Sequence, residues 1–169
     1  RLSLASNKSS GLLKNDIGPD LVSEDNFNVR AQLFFEHSEN SSTLLKIEEG
    51  DEDSNRGGYS MQIGYNGNYG GAPTDFFGYT PPNDVWKTSQ DFESYYKADL
   101  SNINIVHQRS FSDAEFEYIF NSQSSDVDYG EDADVSPLSV YNYESSTDVD
   151  QTSHELRLSW SGDSYRTVA

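Results

Sequence analysis

Runs in which every second residue is apolar recur along this chain, and they restrict it to β-structure. In FNVRAQLFFEH (27–37), Phe27, Val29, Ala31, Leu33 and Phe35 fall on one side, with Asn28, Arg30, Gln32, Phe34 and Glu36 on the other. That is the period of a strand with one apolar face. Its length is close to the roughly 9–11 residues that cross a bilayer at barrel tilt. The polar turn SENS (38–41) leads into STLLKIEEG (42–50), where Thr43, Leu45 and Ile47 oppose Leu44, Lys46 and Glu48, so the two runs predict a hairpin. EFEYIFNSQ (115–123) sets Phe116, Tyr118 and Phe120 against Glu115, Glu117, Ile119 and Asn121. SHELRLSW (153–160) sets His154, Leu156, Leu158 and Trp160 against Glu155, Arg157 and Ser159. RLSLAS (1–6) opens the series, and YRTVA (165–169) begins another strand after the turn SGDS. In SYYKADLSNINIVHQR (94–109) the alternation slips near Asn102, where Leu100 is out of phase with Ile103 and Ile105, which points either to a bulge or to a misreading of the register. Helical periodicity is scarce throughout.

The connections alternate. Those near 38–41, 110–114 and 161–164 are short, and those near 7–26, 51–93 and 124–152 are long. A compact soluble domain rarely carries a structureless loop of about 40 residues. A membrane β-barrel has this asymmetry built in, with tight turns at one rim and long loops at the other. Acidic residues sort the same way: of 29 Asp and Glu, 17 lie within 16–25, 48–53 and 126–150, all on the long-loop side.

Composition closes other routes. Aromatics reach 13% against only 34% hydrophobic residues, so the chain is too aromatic for simple disorder. A formal net charge of -18 leaves no basic patch to neutralise phosphates, which excludes nucleic acid as the partner. The chain has no cysteine, which excludes thiolate metal sites and a disulfide scaffold. No apolar run is long enough for a transmembrane helix, a test that barrel strands escape. The first residue is Arg1 and the last strand is five residues long, so the sequence reads as a piece of a longer barrel.

HELRLSW-SGDSYRTVA resembles the Glu-Leu-Arg-Leu strand, turn and Trp/Tyr-x-x-Val-Ala strand of TonB-dependent outer-membrane receptors. GLLKNDIGPDLVSEDNFNVRAQLFFEHSENSSTLLKIE (11–48) resembles an earlier hairpin region of the same family, in which an Asn, an acidic loop, an Asn-aromatic pair and an Arg-x-Gln-Leu strand recur in that order. The likeness is weakest through 51–93. It implies an all-β, antiparallel, up-and-down sheet of about six or seven strands from a 22-stranded transmembrane barrel, with long extracellular loops over 1–169. It also implies the outer membrane of a Gram-negative bacterium, with membrane lipid and lipopolysaccharide around the barrel. A scarce nutrient is the transported ligand: siderophore-bound iron, haem, a vitamin such as cobalamin, or an oligosaccharide. The energy-coupling partner is TonB, gripping an N-terminal box that this sequence lacks, as it lacks the plug. The resemblance implies no cofactor and no catalysis. On this reading Phe27, Val29, Leu33, Phe35, Phe116, Tyr118, Phe120, Leu156, Leu158 and Trp160 face lipid. Arg30, Gln32, Glu117, Glu155 and Arg157 line the interior.

Binding residues are sought on the loop GGYSMQIGYNGNYGGAPTDFFGYTPPNDVW (57–86), which carries Tyr59, Tyr65, Tyr69, Phe76, Phe77, Tyr79 and Trp86 among glycines and prolines. Exposed loop aromatics stack on sugars or flat ligands; the other account is that they pack on one another to order the loop. DEDSNRGG (51–58) and DVDYGEDAD (126–134) fail the EF-hand pattern, because its sixth position, normally Gly, falls on Arg56 and Glu131. His37, His107 and His154 lie on separate strands without ligand spacing, and no Gly-x-Ser-x-Gly elbow occurs. Two functional classes stand: a transport barrel, or a secreted soluble β-sandwich that binds carbohydrate through the aromatic loop. A passive porin or adhesin barrel is a third.

Overall fold

The computed structural model describes residues 1–55, 79, 81–82, 84–162 and 165–168. Among them there is no helix. The strands are β1 (Leu2–Ser9), β2 (Lys14–Asn15), β3 (Glu24–Ser38), β4 (Ser41–Ser54), β5 (Lys87–Thr88), β6 (Tyr95–Ser110), β7 (Ala114–Asp132), β8 (Asn142–Gly162) and β9 (Tyr165–Val168). Seven form one antiparallel sheet in the order β1-β3-β4-β6-β7-β8-β9, each strand beside its predecessor, and β2 pairs with β5 in a separate parallel ribbon. The main sheet is open, with β1 and β9 at its edges.

Two expectations need correction. No bulge interrupts β6: its pairing with β4 runs unbroken from Ser54↔Tyr96 to Ser41↔Arg109, and Leu100 points to the polar face while Ile103 and Ile105 point to the apolar one. The register shift lies in β3 instead, between Glu36 and Ser38 beside the turn. The stretch 124–152 is also not a long loop. β7 continues to Asp132 and β8 starts at Asn142, so only 133–141 is irregular. Backbone pairing does not require an apolar face, and SSDVDYGED pairs with NYESSTDVD although it carries polar residues on both sides.

Cross-strand partners share a face. Following the pairs from Leu4↔Val29, Ala31↔Ile47, Ile47↔Ile103, Ile105↔Phe120, Tyr118↔Leu156 and Phe116↔Leu158 gathers all ten residues expected to face lipid onto one side of the sheet. The five expected interior residues lie on the other. Most of the apolar side is open: Leu2 is 65% exposed, Leu156 66% and Trp160 50%. The sheet buries almost nothing of its own; Ala98 is its one buried hydrophobic residue among those described.

The apolar patch also slants. Measured against β4, its centre is level with Glu48 on β1, Ile47 on β3 and Lys46 on β4 and β6. It then falls level with Thr43 on β7 and Ser41 on β8. The centre therefore drifts toward the turns by seven residues over the six strands, most of it between β6 and β8. With roughly 3.3 Å per residue along a strand and about 4.8 Å between strands, the drift sets the strands at about 45° to the normal of the band.

Candidate functional site

The three irregular segments 10–23, 84–94 and 133–141 meet at the end of the sheet away from the short turns. Leu13 and Leu21 exchange backbone hydrogen bonds and are buried together. Lys14 N donates to the Trp86 carbonyl and Asp16 N to the Thr88 carbonyl, which ties the first segment to the second. Asn15 strengthens the tie: its Nδ2 donates to the Gln90 carbonyl at 2.9 Å and its Oδ1 accepts from Gln90 N at 3.0 Å. The third segment joins through Asp132. Its carboxylate accepts from Val135 N at 2.7 Å and from Phe92 N at 3.5 Å, and its own N donates to Ser94 Oγ. Burial pushes the Asp132 carboxyl above the usual carboxylate range, against the pull of these backbone donors. Two β-branched residues in this region, Val22 and Val135, have φ of 63° and 56°, a conformation costly for them. The segment junction is thus a small folded unit with a polar interior of Thr88, Gln90, Ser94, Asp132 and Ser136.

Of the loop aromatics, Tyr59, Tyr65, Tyr69, Phe76 and Phe77 lie outside the described residues. Tyr79 is partly buried. Trp86 is 64% exposed, and its backbone, anchored by Asp84 and Lys14, presents the ring at the surface of the junction.

The polar face carries a feature that no single strand reveals. Asn28, Gln32, Asn102, Asn104, Asn121, Gln123 and Gln151 occupy it at neighbouring levels. One level reads Arg30, Glu48, Asn102, Gln123, Gln151 across five strands. Arg30 is ion-paired with Glu48, Asn102 Nδ2 donates to Glu48 Oε2 at 3.2 Å, and Gln123 Nε2 donates to Gln151 Oε1 at 3.1 Å. Nearer the turns, Arg157 bridges Glu117 at 3.0 Å and Glu155 at 2.6 Å, the pairing that the two-residue spacing predicts. Toward the junction the same face carries Tyr96, Tyr129 and Tyr143, with the last two rings 6.1 Å apart.

On the apolar side, beyond the patch, a row of like charges crosses four strands: Asp51, Asp99, Asp126 and Asp148. Repulsion from Asp148 first, and burial next, raises the Asp126 carboxyl above its ordinary value. Among the described residues no group of His, Asp and Glu is arranged to hold a metal ion. His37 Nε2 and His107 Nδ1 share the Thr43 hydroxyl, each at 2.9 Å, and His154 Nδ1 lies 2.8 Å from the Tyr118 hydroxyl.

No protein-family model matches the chain, and no curated protein or solved structure matches it.

Proposed function

We propose that this chain is a stretch of wall from an outer-membrane β-barrel receptor that actively imports a scarce nutrient, with TonB supplying the energy. One observation carries the membrane part of the reading. An apolar patch confined to one face of a sequentially ordered antiparallel sheet slants across the strands at about 45°, close to the 35–45° tilt of barrel strands in a bilayer. A hydrocarbon slab selects residues by depth, so its footprint crosses a tilted strand array obliquely. The opposite face, lined by amides and paired charges, suits a water-filled interior. The energy-coupled receptor, rather than a passive porin or adhesin, is favoured by the resemblance of HELRLSW-SGDSYRTVA to the receptor family.

The soluble alternative covers the same apolar face with a second sheet. The two are separated by expressing the whole protein that carries this segment. A barrel requires detergent, migrates differently on gels before and after boiling, and sediments with outer membranes. A protein that is soluble without detergent and unchanged by boiling sinks the barrel reading. Energy coupling is tested by nutrient-dependent growth with and without TonB.

A further inference from the structure

We infer that Asp132 is a proton-operated clasp of the segment junction: a proton on its carboxyl holds 84–94 and 133–141 firmly against each other, and its loss loosens them. The inference stands on the junction alone and is the same whether the sheet is a barrel wall or part of a soluble domain. Asp132 ends β7 and is 1% exposed. Its backbone N donates to Ser94 Oγ at 3.3 Å, and its carboxylate accepts from Val135 N and Phe92 N, one from each segment. Beside it Asp91 N donates to the Ser136 carbonyl at 3.3 Å, and Ser94 and Ser136 are buried with it. The two carboxylate oxygens are unequally supplied: Oδ1 has a 2.7 Å bond from Val135 N, and Oδ2 only a 3.5 Å bond from Phe92 N. Asn142 stands directly across the ladder from Asp132, and its buried Oδ1 has no hydrogen-bond partner among the described residues.

Two neighbouring acceptors are thus short of one donor. A proton on the carboxyl supplies it, because a protonated Asp donates while its other oxygen still accepts. Directly opposed side chains have Cβ atoms about 4.5–5.5 Å apart, which puts the O–H within reach of the Asn142 amide oxygen. The surrounding charges favour the same state. Segment 133–141 brings Asp134, segment 84–94 brings Asp91, and β8 brings the neutral Asn142. Burial first, and these two carboxylates after it, hold the Asp132 carboxyl above its ordinary range against the pull of Val135 N and Phe92 N. The protonated form therefore favours the closed junction. Tightening sets in as pH falls through the folded-state pKa and is complete below the ordinary carboxylate value. A metal ion could also supply two acceptors, but the described residues offer no arrangement to hold one.

The test is amide exchange read by mass spectrometry on the whole protein, in detergent or in buffer if it needs none, with each rate divided by the intrinsic rate at that pH. Peptides from 84–94 and 133–141 are measured relative to one from 102–108 of β6, which reports on the sheet. From about pH 8 to about pH 5 the relative protection of both segments is expected to rise about threefold or more. Asp132→Asn keeps the protonated pattern at every pH, its amide oxygen accepting from Val135 N and its amide N–H donating to Asn142. It should be as protected at about pH 8 as the parent is at about pH 5. Asn142→Ala removes the second acceptor and should cut the acid gain roughly in half or more. An Asp132→Asn variant that keeps the parent's pH response, or is less protected than the parent at neutral pH, overturns the clasp. So does a parent whose segments ignore acid, and so does calcium at neutral pH reproducing the acid gain, which would make the site a cation's. If Asp132→Asn disturbs the sheet peptide, Asn142→Ala decides instead, and an undiminished acid gain there overturns the pairing.

Discussion

Arginine placed along the slant, and off it, separates depth in a bilayer from position in the sheet. Ala31 sits at the centre of the patch on β3 and Leu158 at its centre on β8. Thr152 lies on the same face as both and is level in register with Ala31, through Ile47, Ile103 and Ser122. Thr152 is six residues from Leu158, roughly 20 Å along the strand and about 14 Å in depth at a 45° tilt, which puts it past the half-height of a ~25 Å apolar band. Arginine at the midplane of such a band costs about 2–4 kcal/mol, and near the interface about 0–1 kcal/mol. Ala31→Arg and Leu158→Arg should therefore each lose about 2–4 kcal/mol and Thr152→Arg no more than about 1 kcal/mol. Asn104→Arg, on the polar face at mid-depth, serves as the control and should also cost little. The assay is reversible denaturant unfolding of the whole protein in lipid vesicles, followed by tryptophan fluorescence. A Thr152→Arg cost equal to that of Ala31→Arg would show that stability follows register rows, as in a soluble sheet, and the slant argument would fail.

Other outcomes follow from the junction and the acidic row. Asp132→Ala removes the acceptor of Val135 N and should cost about 1–3 kcal/mol, seen as faster proteolysis within 133–141. Val135→Gly relieves a left-handed backbone and should stabilise that segment by on the order of 1 kcal/mol, measured as slower amide exchange, since αL costs a substituted residue roughly 1–2 kcal/mol. The raised Asp126 carboxyl means that its ionised form opposes folding; acidification through its folded-state pKa relieves this, and the relief is complete below the unfolded value. Asp126→Asn should therefore raise the melting temperature at neutral pH, with the gain vanishing as pH falls through the carboxylate range. Gly130→Ala should displace the Tyr95 ring, which the new Cβ would overlap, and so break the Tyr95–Glu144 hydrogen bond. The check is a change in tyrosine fluorescence without loss of the β-sheet circular dichroism signal.

The strands with an apolar face were legible because alternation between Val29, Ala31 and Leu33 or between Leu156 and Leu158 is a property of one segment. The extensions 124–132 and 142–152 were not, because Asp126, Asp128, Asp148 and Asp150 give no period against which to read a strand. The slip inferred at Asn102 came from treating Leu100 as obliged to join Ile103, whereas the polar face of the sheet tolerates an isolated leucine. The segment junction was invisible because its contacts are remote: Asn15 and Gln90 are 75 residues apart. The amide row on the polar face depends on register, since Asn102 and Gln123 become neighbours only once β6 and β7 are paired. The Glu155–Arg157 contact, by contrast, needed only the two-residue period.

The β7–β8 hairpin pairs from Ala114↔Trp160 to Asp132↔Asn142, yet its apolar residues are gathered at the open end, away from the 133–141 connection, at Phe116, Tyr118, Phe120, Leu156, Leu158 and Trp160. Burial distinguishes one register from another only there, because a one-residue slip among residues polar on both sides exchanges like for like. The alignment of this hairpin is therefore set at its open end, and the half beside 133–141 inherits a register that its own residues do not choose. An inserted residue beside Phe120 would shift every later pair, while one near Asp132 would be absorbed by the adjacent 133–141 segment. Evolution is accordingly free to lengthen or shorten the outer half by residue pairs without re-solving how the hairpin finds its partner.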